Sequence, residues 1–309
     1  MKFNKILIIS IFISTFLYSN IKSEFPSYNY ILTEFDIEES FIDNPEFKYF
    51  VQKNKHNYRK RYINAINRGG LIVPTLREMM YTRDISPLFL YLSMVESSFK
   101  PEATSRTGAG GLWQFVVLTG KEQNLKIDQK LDERFDPIRS TDAAINYLYK
   151  INNNLDKWYL TAMAYNCGNG CVNKSIRKAG TKDLGTLISA KNNFIKAETR
   201  KYIQKILLMA MIGENYLFSE NDQIGSMLLK LPDDKIIPVQ VSSGESLSRL
   251  ASILNMNPYY LKKINAHLKN GRVPNIHGYR INIPESRIPI FNARYAVNMR
   301  QNNKKYIRR

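Results

Sequence analysis

The sequence predicts a mainly α-helical chain in two parts, an all-helical domain followed by a small α+β module. Three observations carry this prediction. Between Leu71 and Tyr216 apolar residues recur at helical spacing between strong start and stop signals; the periodicity is lost over Gln223–Asp234; and Pro238–Pro284 then reads strand, helix, helix, strand.

The elements follow in chain order. Lys2 and Lys5 precede a run from Ile6 to Tyr18 without a charge, after which polar residues return. That is the layout of a secretory signal peptide over residues 1–23, shorter than the about 20 apolar residues that a spanning helix needs. Export to the periplasm is expected. Ser19 and Ser23 give no clean small-x-small cleavage pattern, and no cysteine follows the apolar run, so any membrane association is not expected to use a lipid anchor. Residues 24–70 mix aromatics, acids and bases with little period and are expected to form an N-terminal arm, extended or in short helices, packed on the main body.

The helical domain is placed at 71–220. Ser86-Pro87 opens a helix as cap and first-turn proline, with Leu88, Leu92 and Val95 as its apolar stripe and Pro101 just past its end. A second helix is predicted from Gly111 to near Gly120, and a third from Ser140 or Thr141 through Leu148. Another runs over Lys157–Tyr165 and is broken by Asn166-Cys167-Gly168-Asn169-Gly170. The last covers Phe194–Tyr216. A linker at 221–236 leads to the module at 237–285, where Pro238–Val241 and Tyr279–Pro284 are strands around helices beginning at Gly244-Glu245-Ser246 and at Pro258. Residues 286–309 are basic and patternless, which predicts a mobile tail.

The 45 Lys and Arg against 27 Asp and Glu give a net charge of +18, spread over the whole length. An anionic partner is implied, and nucleic acid, anionic membrane and the carboxylates of a cell wall all satisfy it. The export signal and the absence of any nucleic-acid recognition motif set nucleic acid aside. Cys167 and Cys171 are the only cysteines. They could bridge if the glycines bend the chain, but residues four apart on a helix hold no disulfide easily, so two free thiols are expected. Two cysteines and three scattered histidines do not supply a zinc site.

Glu96 follows Leu92, Met94 and Val95 at the end of an apolar helix. Burial there would raise its pKa and keep a proton available for a glycosidic oxygen. Taken alone, a Glu at a helix end is more often a solvated acid. Its company is Ser105–Phe115, in which three glycines bend the backbone closely and present Trp113 and Gln114, a ring and an amide such as sugars bind. In isolation the same stretch is more often a glycine turn with a core tryptophan.

Four ordered motifs then carry a resemblance. Glu96-Ser97-Ser98-Phe99, the run Ser105–Phe115, Ala164-Tyr165-Asn166-Cys167-Gly168-Asn169-Gly170 and Glu198-Thr199-Arg200-Lys201-Tyr202 match those of the lytic transglycosylases with a goose-lysozyme-like catalytic domain. Asp132–Pro137 with Ser140–Ala144 resembles the D-type branch. The resemblance implies a lysozyme-like fold, Glu96 as acid and later base, and Ser105, Gln114, Tyr165 and Glu198 along a glycan groove, with Trp113, Asn166 and Tyr202 as further binding candidates. The segment Val241–Leu247 with Tyr279–Pro284 resembles a lysin-motif (LysM) carbohydrate-binding module, divergent in its longer interior Asn265–Pro274.

What this implies is cleavage of peptidoglycan glycan strands without water, with no cofactor or metal. The partners expected are those strands and other cell-wall enzymes. A hydrolytic muramidase on the same fold would need a second carboxylate beside Glu96. Glu198, Asp132 and Asp136 are the candidates, but Glu198 sits in the motif that the resemblance assigns to binding, and the two aspartates are expected to cap helices or pair with Arg134 and Arg139. A non-catalytic wall-binding protein would be expected to have lost Glu96 or the glycine turn, and both are present.

Overall fold

A computed structural model describes residues 20–218 and 234–296. Short helices α1 (Ile21–Glu24) and α2 (Tyr28–Glu34) lead into α3 (Pro45–Gly69), α4 (Ile72–Thr82) and α5 (Leu90–Ser97). After a glycine-rich loop come α6 (Val117–Glu122), α7 (Pro137–Leu155), α8 (Trp158–Cys167), α9 (Asn169–Ala179), α10 (Leu184–Ile188) and α11 (Ala197–Phe218). The main axis is α11, which packs against α2, α3, α5 and α8. Its Ile203, Ile206, Leu207, Ala210 and Met211 are wholly or almost wholly removed from water, and that burial is the dominant stabilising term for this body.

Caps set the helix starts. Ser86 accepts from the Leu88 amide at the turn that leads into α5, and Asp136 accepts from the Ile138 and Arg139 amides ahead of Pro137, the first residue of α7. That cap starts α7 three residues before the position expected from Ser140.

The region 24–70 is not an arm. It contributes the 25-residue α3, whose Phe47, Val51, Tyr58, Tyr62, Ala65 and Ile66 are buried. Its apolar stripe is interrupted by Lys, Arg and Asn on the open face, so little period is visible in the sequence. The expected boundary after Ser23 falls inside α1, which Asn20 caps and whose Ile21 joins the core; the rest of the expected signal peptide lies outside the described residues. The helix expected over Gly111–Gly120 is instead a run of turns, with α6 starting only at Val117.

In the module, strands β1 (Ile236–Gln240) and β2 (Arg280–Pro284) pair antiparallel with Ile236 opposite Pro284 and Val239 opposite Ile281. Helices Leu247–Ile253 and Pro258–Ile264 lie between them in sequence. The expected tail is folded in part: Ile288–Phe291 is helical, Phe291 and Tyr295 are buried, and the Tyr295 hydroxyl accepts from the Ser242 amide at 2.8 Å. Residues 297–309 lie outside the described residues.

The module is docked on the helical domain through buried polar groups. The Thr75 hydroxyl exchanges hydrogen bonds with the Ile236 backbone at 2.9 and 3.2 Å. The Asp132 amide donates to the His267 carbonyl at 2.9 Å, and the Asn282 amide group donates to the Asp136 carboxylate at 3.1 Å. Burial lowers the pKa of His267, whose ring lies beside Asp136. Among the described residues no helix is long and apolar enough to cross a membrane.

Candidate active site

Helix α5 ends abruptly because Ser98 and Phe99 both adopt left-handed backbone, at φ 53° and 54°. The Ser93 hydroxyl ties the helix to the Leu112 carbonyl at 3.0 Å, and Phe99 is driven into the core. Glu96 is thereby held in the last turn, partly open to solvent. The Tyr202 hydroxyl of α11 donates to its carboxylate at 2.5 Å.

Burial raises the Glu96 pKa from 4.5 to about 6; Tyr202 and Lys205 act in the opposite direction, and the Glu198 charge adds to the rise. The phenols of Tyr165 and Tyr202 are pushed well above their usual value, by burial first and by Glu96 second, so both remain protonated donors. The site therefore offers a carboxyl that retains a proton into the mildly acidic range, framed by two neutral hydroxyls.

The glycine loop forms the adjoining wall. Arg134 holds it from both ends, donating to the Gly108 carbonyl at 2.8 Å and the Phe115 carbonyl at 2.9 Å, while Asp132 fixes the guanidinium with two further bonds. Gly111, at φ 80°, lies so near that a Cβ there would stand 1.7 Å from the Arg134 carbonyl oxygen. No other residue fits this approach. The Ser105 hydroxyl accepts from the Ala109 amide at 3.0 Å and so shapes the loop entrance. Gln114, itself left-handed at φ 49°, turns its amide onto the Ala103 and Gly111 carbonyls.

Tyr165 closes the wall from α8. Its hydroxyl donates to the Trp113 carbonyl at 2.8 Å, and its ring meets those of Phe115 and Tyr147. Asn166 accepts from the Thr199 hydroxyl at 2.8 Å, joining the end of α8 to the first turn of α11, where Glu198 stands exposed. The structure thus brings Tyr165, Tyr202 and Glu198 into electrostatic reach of Glu96, with Gln114 and Ser105 in the glycine loop and Asn166 near the end of α8.

Trp113 does not line the groove. It is fully buried and its indole donates to Thr141 at 2.8 Å, which makes it a packing residue. Asp132 and Asp136 are committed elsewhere, to Arg134 and to the α7 cap with Arg139. Two functional contributors escaped the sequence reading. The Lys205 charge bears on Glu96 from one turn beyond Tyr202, a helical spacing that could have flagged it, whereas the role of Arg134 in gripping the loop has no local signal.

The cysteines are bonded, contrary to the free thiols expected. Gly168, at φ 85°, breaks the helix between them, so Cys167 ends α8 and Cys171 lies in α9, with Cα atoms 5.8 Å apart. Among the described residues no group of three or more His, Cys, Asp or Glu is placed to hold a metal.

Comparison with known proteins agrees with this arrangement. Residues 77–188 match the family model described as Transglycosylase SLT domain, and residues 229–297 that described as Lytic transglycosylase MltD, LysM-like domain. The second match takes in the helical turns after β2. Membrane-bound lytic murein transglycosylase D of Escherichia coli K12 is 29% identical over 221 residues, 71% of this chain and 47% of that protein. Membrane-bound lytic murein transglycosylase F of Histophilus somni is 30% identical over 161 residues, 48% of this chain and 31% of that protein. A solved structure, an inactive mutant of lytic transglycosylase Slt from Pseudomonas aeruginosa, aligns at TM-score 0.39 and 22% identity over 45% of this chain and 23% of that one. The chain spans less than half the length of these relatives. It carries an SLT transglycosylase domain followed by a LysM-like domain of the MltD kind.

Proposed function

We propose that this SLT-domain chain is an exported lytic transglycosylase that cuts the β-1,4 bond between N-acetylmuramic acid and N-acetylglucosamine in peptidoglycan, with Glu96 as its single acid and base. The observation that carries this reading is a carboxyl raised to about 6 by burial and oriented by the Tyr202 hydroxyl. A pKa in that range suits a group that must first give a proton and later take one.

In the first step Glu96 protonates the glycosidic oxygen, the bond from the muramic C1 to that oxygen breaks, and the acetamido oxygen of the same sugar bonds to C1. In the second, the 6-hydroxyl of the muramic residue attacks C1, the acetamido oxygen leaves, and the hydroxyl proton passes to Glu96. The product is a 1,6-anhydro end and no water is consumed. Substrate-assisted chemistry of this kind needs one protein carboxylate, and the commitments of Asp132 and Asp136 accord with it. Gln114, Ser105, Tyr165, Asn166 and Glu198 border the groove in which the sugars would lie. The LysM-like module, docked rather than tethered, would extend the wall-binding surface, and the net charge of +18 favours the carboxylate-bearing wall.

The test is digestion of purified peptidoglycan beside Glu96→Gln, with the sugar ends identified by mass spectrometry. Anhydro-muramic ends that vanish in the variant support the reading. Reducing ends would replace it with a muramidase in which Glu198 supplies the second carboxylate, and no products with retained binding would leave a wall-binding protein.

A further inference from the structure

An open cleft of about 640 Å³ lies between the N-terminal half of α3 and the first turns of α11, within the range of sites that hold small ligands. It is lined on one side by Tyr49, Phe50 and Lys53 and on the other by Arg200, Lys201 and Lys205. Lys205 belongs both to this cleft and to the electrostatic surroundings of Glu96. On α11, Glu198, Tyr202 and Lys205 are spaced to form the stripe towards Glu96, and Ala197, Lys201 and Gln204 the stripe beside it, so the cleft opens directly alongside the candidate active site.

Its charge is one-sided. Four cations line it against one carboxylate, Glu46, and both oxygens of Glu46 accept from the Ala190 amide. Arg200 is partly engaged with Asn193 and Ile195. Lys53, Lys201 and Lys205 form no ion pair among the described residues; Lys53 has only the Tyr49 ring, 5.7 Å from its ammonium. Tyr49 is 60% exposed, a large ring left open beside these cations. Neutral sugars give such a cluster nothing to neutralise, whereas a short peptide with free carboxylates and small apolar side chains matches both the lysines and the rings.

We propose that the α3–α11 cleft is a subsite for the carboxylate-bearing peptide carried by the glycan strand, placed so that the peptide is held while its sugar lies at Glu96. This rests on the peptidoglycan reading above and extends it from the glycan to the peptide.

The test titrates the purified protein with soluble stem peptide released from peptidoglycan by an amidase, with the same peptide after amidation of its carboxylates, and repeats both with Lys53→Glu/Lys201→Glu. The expected result is that wild type binds the free peptide, and that amidation or the double variant weakens binding about tenfold or more. No binding by wild type, or binding indifferent to both changes, overturns the proposal. In cleavage assays the double variant should keep the wild-type rate on strands stripped of peptide and show KM raised several-fold on peptide-bearing strands; an equal loss on both would also overturn it. If wild type cuts neither strand, the transglycosylase reading fails, and the titration still decides the subsite. Should the charge reversal alter the melting temperature, Lys53→Gln/Lys201→Gln serves in its place.

Discussion

Replacing Glu96 by Gln should stabilise the fold while removing the proposed chemistry. Raising a carboxyl from 4.5 to about 6 corresponds to about 2 kcal/mol of disfavoured ionisation. Because the folded-state pKa is the higher one, the folded protein holds this proton to higher pH than the unfolded chain. The penalty is absent below about pH 4.5, grows between 4.5 and 6, and is complete above 6. A glutamine has no such penalty and can still accept from the Tyr202 hydroxyl. The variant should therefore melt higher by roughly 4 °C or more at pH 8, and the difference should disappear near pH 4. Thermal unfolding of both proteins followed by circular dichroism at the two pH values measures this. A variant that melts at or below wild type at pH 8, or a difference of the same size at both pH values, would refute the assignment of Glu96 as a buried, ionisation-penalised carboxyl.

Tyr202→Phe removes a donor that holds the Glu96 pKa down, so the alkaline limb of the kcat/KM profile, expected near pH 6 in wild type, should move to higher pH; an unmoved or acid-shifted limb would deny the coupling. Gly111→Ala drives a methyl into the Arg134 carbonyl and should cost about 3 kcal/mol or more in denaturant unfolding, whereas Gly170→Ala, where no atom lies within 4 Å, should be nearly neutral. Changing both Cys167 and Cys171 to Ser opens a loop of sequence separation 4 and should cost about 2 kcal/mol by loop-closure entropy; equal stability of the oxidised protein and the double variant would show that the bridge does not constrain the unfolded chain.

The parts of this protein legible in its sequence are those governed by neighbours along the chain. Ser86-Pro87 and Pro258 start helices because a cap and a preset φ act within one turn, and Glu96 stands out because its apolar run and the motifs after it are local patterns. The pairing of Asp132 with Arg134, two residues apart, was accessible for the same reason.

Tertiary structure decided the rest. Helix α3 gains its stability from a narrow buried stripe against α11, which cationic residues on its open face obscure in sequence. The loop Gly108–Phe115 ends as turns rather than a helix because Arg134, beyond it in the chain and fixed by Asp132, binds both of its ends, and Trp113 faces the core because Thr141 receives its indole there. The break at Gly168 is legible in the sequence, but only the fold shows that it brings the Cα atoms of Cys167 and Cys171 to 5.8 Å, close enough to bond. By itself the sequence determined the helix start at Ser86-Pro87, the strand, helix, helix, strand order of the module and which acid carries the motif, since these depend on interactions within a few residues. Only the folded chain decided the pKa of that acid, the hydroxyl that orients it and the ring that leaves the groove, since desolvation and hydrogen bonding are summed over partners distant in the chain, the orienting hydroxyl being 106 residues away.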